Sequence, residues 1–134
     1  NSDQEAFGLL NSGSKSADGE DEAVPPEFTE DALALEFTGL YAQDWRYVAA
    51  WGWWLHWDGT SWKREETLKA YDLSRLICRE ASARCLKPKI AAKVASAATV
   101  SAVERLAHAD RRHAATTEQW DGDSLLMVTL EETV

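Results

Sequence analysis

The alternation of apolar and polar positions predicts an opening helix near residues 30–41. Thr29 is a good N-cap, and Glu30 and Asp31 place carboxylates in the first turn, where they favour the positive end of the helix dipole. The apolar positions that follow are Leu33, Leu35, Phe37 and Leu40. They are expected to form the buried stripe of an amphipathic helix.

A run of aromatic and β-branched residues from 45 to 64 predicts strands rather than a helix. Asp58 and Gly59 lie inside this run, and an Asp-Gly pair favours the positive φ angles of a two-residue hairpin loop. A preceding strand over residues 46–50 would extend the hairpin to a three-stranded meander.

The two-residue loop sets an expected register, which pairs Trp57 with Thr60 and Leu55 with Trp62. Side chains alternate between the two faces of a strand. One face is then expected to carry Trp53, Leu55, Trp57 and Trp62, and the other Trp54, His56 and Lys63.

From Glu66 onward the apolar spacing is helical, and a break at residues 86–88 separates a second helix from an Ala-rich third helix that runs to about Ala97. Pro88 is tolerated in the first turn of that helix. The last helix is expected to begin at a capping box formed by Ser101 and Glu104, with Thr99 as the competing cap, and to end near Arg112.

These elements predict an α+β fold: a small, mainly helical domain with an N-terminal helix, a Trp-rich hairpin or meander, and three further helices. A chain of 134 residues has room for one domain. Residues 11–27 are mostly Ser, Gly, Asp, Glu and Pro, which offer little to bury. We therefore expect a flexible, disordered acidic arm over 1–28, the folded domain over 29–126 and an acidic tail over 127–134.

The formal net charge of −9 is unevenly distributed. Residues 1–31 carry nine acidic side chains and one lysine, and residues 113–134 carry five acidic side chains. Residues 63–112 instead carry twelve basic and six acidic side chains. The acidic total therefore does not exclude a nucleic-acid partner for the basic half of the chain.

Cysteine usage and hydropathy predict a cytoplasmic protein. Cys78 and Cys85 fall in one predicted helix, where their Cα atoms would be about 10 Å apart, too far for a disulfide. Free thiols indicate a reducing compartment. The longest apolar stretch, residues 48–57, is shorter than the roughly 20 residues of a membrane span, and no secretory signal opens the chain.

The chain carries no recognisable catalytic motif: no phosphate-binding loop, no paired-cysteine motif and no nucleophile paired with a base. His108, Asp110 and His113 match no standard metal-ligand spacing and favour ordinary surface histidines. Asp121 and Asp123 resemble a metal-binding pair but favour an acidic turn or tail. We therefore expect no enzyme activity, no metal and no cofactor.

The Trp block has two interpretations. Trp54, His56, Lys63 and Arg64 could form a stacking platform for single-stranded bases, whereas Trp51, Trp53, Trp57 and Trp62 favour the core of a small domain. Trp54 is the tryptophan expected at the surface. The remaining candidate binding residues are Lys69, Arg75, Arg79, Arg111 and Arg112. They could follow a phosphate backbone or simply form a solvated helix surface, and both interpretations stay open.

Residues 44–62 (DWRYVAAWGWWLHWDGTSW) resemble the N-terminal domain that precedes the helicase in phage and plasmid primase–helicases, the family named for the poxvirus replicative nucleoside triphosphatase. Similarity continues through residues 71–80, 99–107 and 114–121. The resemblance implies a structural role for the hairpin residues Trp57, Asp58, Gly59 and Trp62, which help to form the fold. After residue 126 the chain departs from the family pattern, so either it is a piece of a longer protein or its last residues have diverged.

The resemblance implies a non-catalytic replication domain in a bacterial host, which contacts DNA or joins the primase and helicase modules, with the ATPase in a downstream superfamily III helicase domain. The alternative is a free-standing acidic phage inhibitor, for example an anti-CRISPR or another anti-defence protein. Its arm and tail would block a basic nucleic-acid-binding partner by charge mimicry. A homo-oligomer is a third possibility, and no membrane partner is expected.

Overall fold

Four helices and a four-stranded sheet make up the part of the chain that the structure, a computed structural model, describes, residues 23–119. The helices are α1 (Glu30–Tyr41), α2 (Lys69–Arg84), α3 (Pro88–Val94) and α4 (Ala97–His108). The strands are β1 (Trp45–Val48), β2 (Trp53–Trp57), β3 (Trp62–Arg64) and β4 (Ala114–Ala115). The predicted α+β class is confirmed. Most of the predicted arm, the tail over 127–134, Asp121 and Asp123 lie outside the described residues.

Helix α1 begins as the sequence predicts. The Thr29 hydroxyl oxygen accepts a hydrogen bond from the backbone N–H of Ala32 at 3.2 Å. A short 3-10 turn over Pro26–Phe28 precedes it, and Phe28 is buried, so packing starts a few residues before Thr29. The buried positions of α1 are Leu33, Ala34, Phe37 and Thr38. Leu35 and Leu40, expected in the buried stripe, are 50% and 62% exposed, because they lie on the far side of the helix.

The sheet has the order β3-β2-β1-β4. Strands β1, β2 and β3 pair antiparallel, which confirms the predicted meander. Strand β4 pairs parallel with β1, with Tyr47 opposite Ala114 and Val48 opposite Ala115. This fourth strand was not predicted, because two alanines carry no strand pattern and their pairing depends on a distant segment.

The hairpin between β2 and β3 has a four-residue loop, so the predicted register is wrong. Trp57 pairs with Trp62, and Leu55 pairs with Arg64. A two-residue loop would need positive φ at both Asp58 and Gly59, but only Gly59 adopts it, at +103°. The register differs from the predicted one by two residues. An even shift keeps each side chain on the same face, so the predicted division of side chains between the two faces is correct.

Helix α4 begins earlier than predicted. The Ser96 hydroxyl oxygen accepts from the backbone N–H of Thr99 at 3.2 Å, so Ser96 is the N-cap, and neither Ser101 nor Thr99 is. Helix α3 correspondingly ends at Val94, and α4 ends at His108 rather than near Arg112. A serine in either position has the sequence pattern of a cap, so the local sequence alone does not choose between Ser96 and Ser101.

One face of the sheet, which we call the inner face, packs against the helices. Trp45 and Trp54 lie in the main core with Phe37 of α1, whose ring centroid is 5.7 Å from that of Trp54. Residues of α2, α3 and α4 complete this core, including Ile77, Ile90 and Val103.

Both cysteines are free, as predicted. Cys78 is buried in α2, and burial, with smaller contributions from Glu36 and Glu30 of α1, raises the pKa of its thiol to about 11. The thiol is therefore protonated at neutral pH and behaves as a small apolar core side chain.

Candidate nucleic-acid interface

The second face of the sheet, which we call the outer face, carries a cluster of its own. Its buried members are Val48, Leu55, Trp62 and Ala115, and the half-buried Trp51, Trp53 and Trp57 pack against them. Within residues 23–119 no helix residue belongs to this cluster. Three large indole rings therefore remain partly open to solvent on one side of the sheet.

Two arginines stack on the tryptophans of the outer face. The guanidinium carbon of Arg64 lies 3.8 Å from the centroid of Trp53, and that of Arg46 lies 5.0 Å from the centroid of Trp62. Trp51 stacks on Trp53 with a centroid distance of 5.5 Å and an interplanar angle of 28°. Arg46 also donates to the carbonyl oxygens of Ala42 and Trp45. Arg64 is exposed, so its positive charge is accessible beside an aromatic surface.

The hairpin loop at the end of this face is held by one carboxylate. Asp58 Oδ1 accepts from the backbone N–H groups of Thr60 and Ser61, both at 2.9 Å, and from the Thr60 hydroxyl at 3.0 Å. These hydrogen bonds, helped by Lys63 at 3.7 Å, lower the pKa of Asp58 to about 2. The loop is therefore pinned next to Trp57, which packs against Trp62 at 5.6 Å.

Trp54 is the one predicted contact residue that the structure moves into the core. It is only 6% exposed, and its Nε1–H donates to Glu104 Oε2 of α4 at 2.8 Å. The alternation correctly separates Trp54 from Trp53 and Trp57. It does not say which of the two faces the helices cover, and the helices cover the face of Trp54.

The predicted basic residues lie on three separate parts of the fold. Arg64 joins the outer face, while Lys63 belongs to the opposite side of β3. Lys69, Arg75 and Arg79 are exposed on α2. Arg111 and Arg112 are exposed in the turn between α4 and β4.

Two of these arginines are already engaged locally. The Arg111 guanidinium donates to the carbonyl oxygen of Ala109 at 2.7 and 3.0 Å. Arg112 forms an ion pair with Asp110 at 3.1 Å. Arg64 is therefore the predicted cation that the structure brings together with the half-buried aromatic rings of the outer face.

The histidines expected at the surface are partly or fully buried. His113 is fully buried, and its Nδ1 lies 2.8 Å from the carbonyl oxygen of Trp45. His108 lies 2.7 Å from Glu104 and stacks on Tyr47 with a centroid distance of 3.6 Å. Each ring thus has its own structural partner. Among the described residues no group of three or more His, Cys, Asp or Glu side chains could hold a metal ion.

Arg46 and Trp53 are members of the outer face that the sequence did not place in a binding site. The sequence predicts only that Arg46 lies in a strand and that Trp53 is a core residue. The available signal was the alternation itself, which puts Arg46, one residue from Trp45, on the opposite face from it. Strand pairing is needed to bring Arg46 over Trp62.

A family model described as D5 N terminal like matches residues 34–134. The chain belongs to this family. The resemblance to primase–helicase N-terminal domains is therefore confirmed, and the D5 N-terminal-like domain is a replication-related module that is not itself catalytic. No curated protein and no solved structure matches the chain.

None of the helices in this D5 N-terminal-like domain, as far as residues 23–119 describe it, has both the length and the apolar content needed to cross a bilayer. The longest, α2, has 16 residues and an outward surface that includes Arg75 and Arg79.

Proposed function

We propose that this D5 N-terminal-like domain is a non-catalytic DNA-replication module that binds single-stranded DNA through the outer face of its sheet. The observation that carries the proposal is the stacking of the exposed Arg64 on Trp53, beside the half-buried Trp51 and Trp57. Sheet aromatics flanked by cations are the usual platform for single-stranded nucleic acid.

The chemistry of the face suits bases and phosphates together. Indole rings offer stacking area to any base, at about 1–3 kcal/mol per base. Arg64 offers positive charge beside the Trp53 ring, and a guanidinium can contact a phosphate in a bidentate manner. Among residues 23–119 the outer face presents mainly aromatic and apolar side chains rather than polar groups that could read base edges, so sequence preference is expected to be weak.

Charge distribution supports the same partner. Residues 63–112, which include the end of β3 and all of α2, α3 and α4, carry twelve basic and six acidic side chains. Lys69, Arg75, Arg79, Arg111 and Arg112 could extend the phosphate path beyond the sheet. The inhibitor alternative stays a prediction, because it depends on the acidic arm and tail, nearly all of which lie outside the described residues. The oligomer and the cytoplasmic location also stay predictions.

Fluorescence anisotropy with a labelled single-stranded oligonucleotide tests the proposal. The full chain should bind with micromolar affinity at 50 mM salt, and the affinity should fall steeply as salt rises. The Arg64→Gln variant should bind several-fold more weakly and show a shallower salt dependence, because one phosphate contact is lost.

Arg105→Gln provides the matched control, since Arg105 is exposed on α4, away from the outer face, and the variant has the same charge change. It should retain most of the affinity. A Trp51→Leu variant, checked for folding by near-ultraviolet circular dichroism, should lose stacking and bind more weakly than the wild type. Absence of binding at 50 mM salt would exclude the proposed function, and equal losses for Arg64→Gln and Arg105→Gln would remove the outer face as its site.

A further inference from the structure

A cleft that shares Trp53 and Arg64 with the outer face lies where the sheet meets α2 and α4. Its volume is about 470 Å³. Aromatic rings from three elements line it, and the charged side chains that line it are three glutamates and one arginine. These residues are Tyr47, Trp53, Trp54 and Tyr71, with Glu65, Glu66, Glu104 and Arg64. We infer that the cleft binds the guanidinium group of an arginine side chain from a partner protein.

Glu104 is the best-positioned acceptor in the cleft. Trp54 Nε1 and His108 Nε2 both donate to its Oε2, at 2.8 and 2.7 Å. Its Oε1 takes part in no hydrogen bond among residues 23–119. Burial opposes ionisation, but the hydrogen bonds from His108 and Trp54 outweigh it and hold the pKa of this carboxyl below its ordinary value. A charged, immobilised carboxylate thus retains one oxygen for a ligand donor.

Aromatic packing holds the two side chains that donate to the Glu104 carboxylate. The His108 ring stacks on Tyr47 with an interplanar angle of 6°. Trp54 is locked edge-on against Tyr47, with centroids 5.2 Å apart. The acceptor is therefore held in place before a ligand arrives, which reduces the entropy cost of binding.

The rim of the cleft adds negative charge and a strained residue. Glu65 accepts from the backbone N–H groups of Thr67 and Lys69 at 3.1 and 2.7 Å, and this turn leads into Leu68. Leu68 has φ +63° and is 77% exposed. A leucine rarely adopts the left-handed region, because its Cβ then lies too close to the following carbonyl oxygen. Its apolar side chain is available to pack on the stem of an incoming side chain.

The structure already contains an example of the proposed contact. Arg64 places its guanidinium 3.8 Å from the centroid of Trp53, one of the walls of the cleft. Aromatic faces attract a guanidinium strongly, and its planar fork also matches a carboxylate. Three glutamates against one arginine disfavour an anionic ligand such as a nucleotide, so a cationic side chain is the ligand that this chemistry selects.

Nuclear magnetic resonance titration of the full chain tests the inference with acetyl-arginine amide as the probe. The Trp54 indole N–H signal should shift with a millimolar affinity, because that N–H is bonded to Glu104. Acetyl-citrulline amide has nearly the same shape without the charge, and it should bind at least about tenfold more weakly. Equal binding of the two probes, or no shift with arginine, would overturn the inference.

Three variants locate the binding. Glu104→Gln should abolish the shift of the arginine probe. Glu66→Gln, which changes an exposed rim residue and leaves the fold intact, should weaken it about two- to threefold. Glu118→Gln, the same change on an exposed residue that does not line the cleft, should leave it unchanged.

Arg64→Gln separates this inference from the proposed function. It should weaken the binding of single-stranded DNA, but it should preserve or strengthen the binding of the arginine probe, because a like charge at the cleft is removed. If deoxycytidine monophosphate shifts the Trp54 signal and the arginine probe does not, the cleft is a nucleotide site and the inference is wrong.

Discussion

At the scale of single residues, Asp58 decides how the hairpin closes. The Asp-Gly pair marks the turn correctly, but the aspartate acts through its side chain and not through a positive φ. Its carboxylate caps the amides of Thr60 and Ser61, which lengthens the loop to four residues. An Asx turn of this kind competes with the two-residue turn, and the dipeptide alone does not distinguish them.

Replacing Asp58 tests this account. Asp58→Ala removes the acceptor for both amides and should lower the melting temperature measurably, whereas Asp58→Asn keeps a side-chain carbonyl and should lose less. The lowered pKa means that the carboxylate stabilises the fold above its unfolded pKa, and that this stabilisation is lost as the pH falls toward about 2. A carboxyl titration followed by nuclear magnetic resonance should give that value, and an ordinary pKa near 4 would contradict the loop geometry.

At the scale of elements, most helices and strands were predictable but their ends were not. The apolar spacing finds all four helices, and the aromatic run finds the meander. The ends depend on which of several competing polar residues caps a helix. The cap at Thr29 was predicted correctly, whereas the start of α4 was expected at Ser101, with Thr99 as the competing cap, and the structure has the cap at Ser96.

A pair of serine variants checks the start of α4. Ser96→Ala should destabilise the domain by about 1 kcal/mol, because the N–H of Thr99 loses its acceptor. Ser101→Ala should cost much less, since Ser101 lies inside the helix, where alanine is the better helix former. Urea unfolding of both variants gives the comparison. A larger loss for Ser101→Ala would mean that the helix begins at the capping box.

At the scale of the whole molecule, the sheet separates two aromatic clusters with different surroundings. The inner face packs against the helices and holds Trp45, Trp54 and the fully buried His113. His113 links the turn after α4 to β1, since its Nδ1–H donates to the carbonyl oxygen of Trp45. Burial lowers the pKa of this histidine, although the hydrogen bond to Trp45 and the charge of Asp110 partly oppose the shift.

His113 therefore predicts a loss of stability in mild acid. Its folded pKa lies below the unfolded value of about 6.5, so the unfolded chain binds a proton that the folded domain does not. The free energy of unfolding should fall as the pH drops below about 6.5, by at most about 1.4 kcal/mol per pH unit for one proton, until the folded pKa is reached. The carboxyl groups of Asp58, Glu104 and Asp110 also have lowered pKa values in the folded domain, but they change the free energy of unfolding only at lower pH, where carboxyl groups are protonated.

Urea unfolding at pH 7.5 and pH 5.5 measures the effect. His113→Gln should be less stable than the wild type at pH 7.5, because it disturbs a fully buried ring, but it should lose less on acidification. The positive charges of Arg46 and Arg112 also disfavour protonation of the His113 ring and so help to lower its pKa. If the wild type and the variant show the same pH dependence, His113 does not control stability in this range.

The sequence by itself determined the local features of this protein: the periodicity of its helices, the alternation along its strands and the family to which its hairpin motif belongs. These local features depend on residues that are only a few positions apart, so they can be predicted from the order of residues along the chain. Tertiary structure decided which face of the sheet the helices cover. Alternation is symmetric between two faces, and only helices packed from elsewhere in the chain bury Trp54 and leave Trp53 beside Arg64. The cleft around Glu104 could not be predicted either, because it joins side chains from three strands, a turn and two helices that approach one another only in the folded chain.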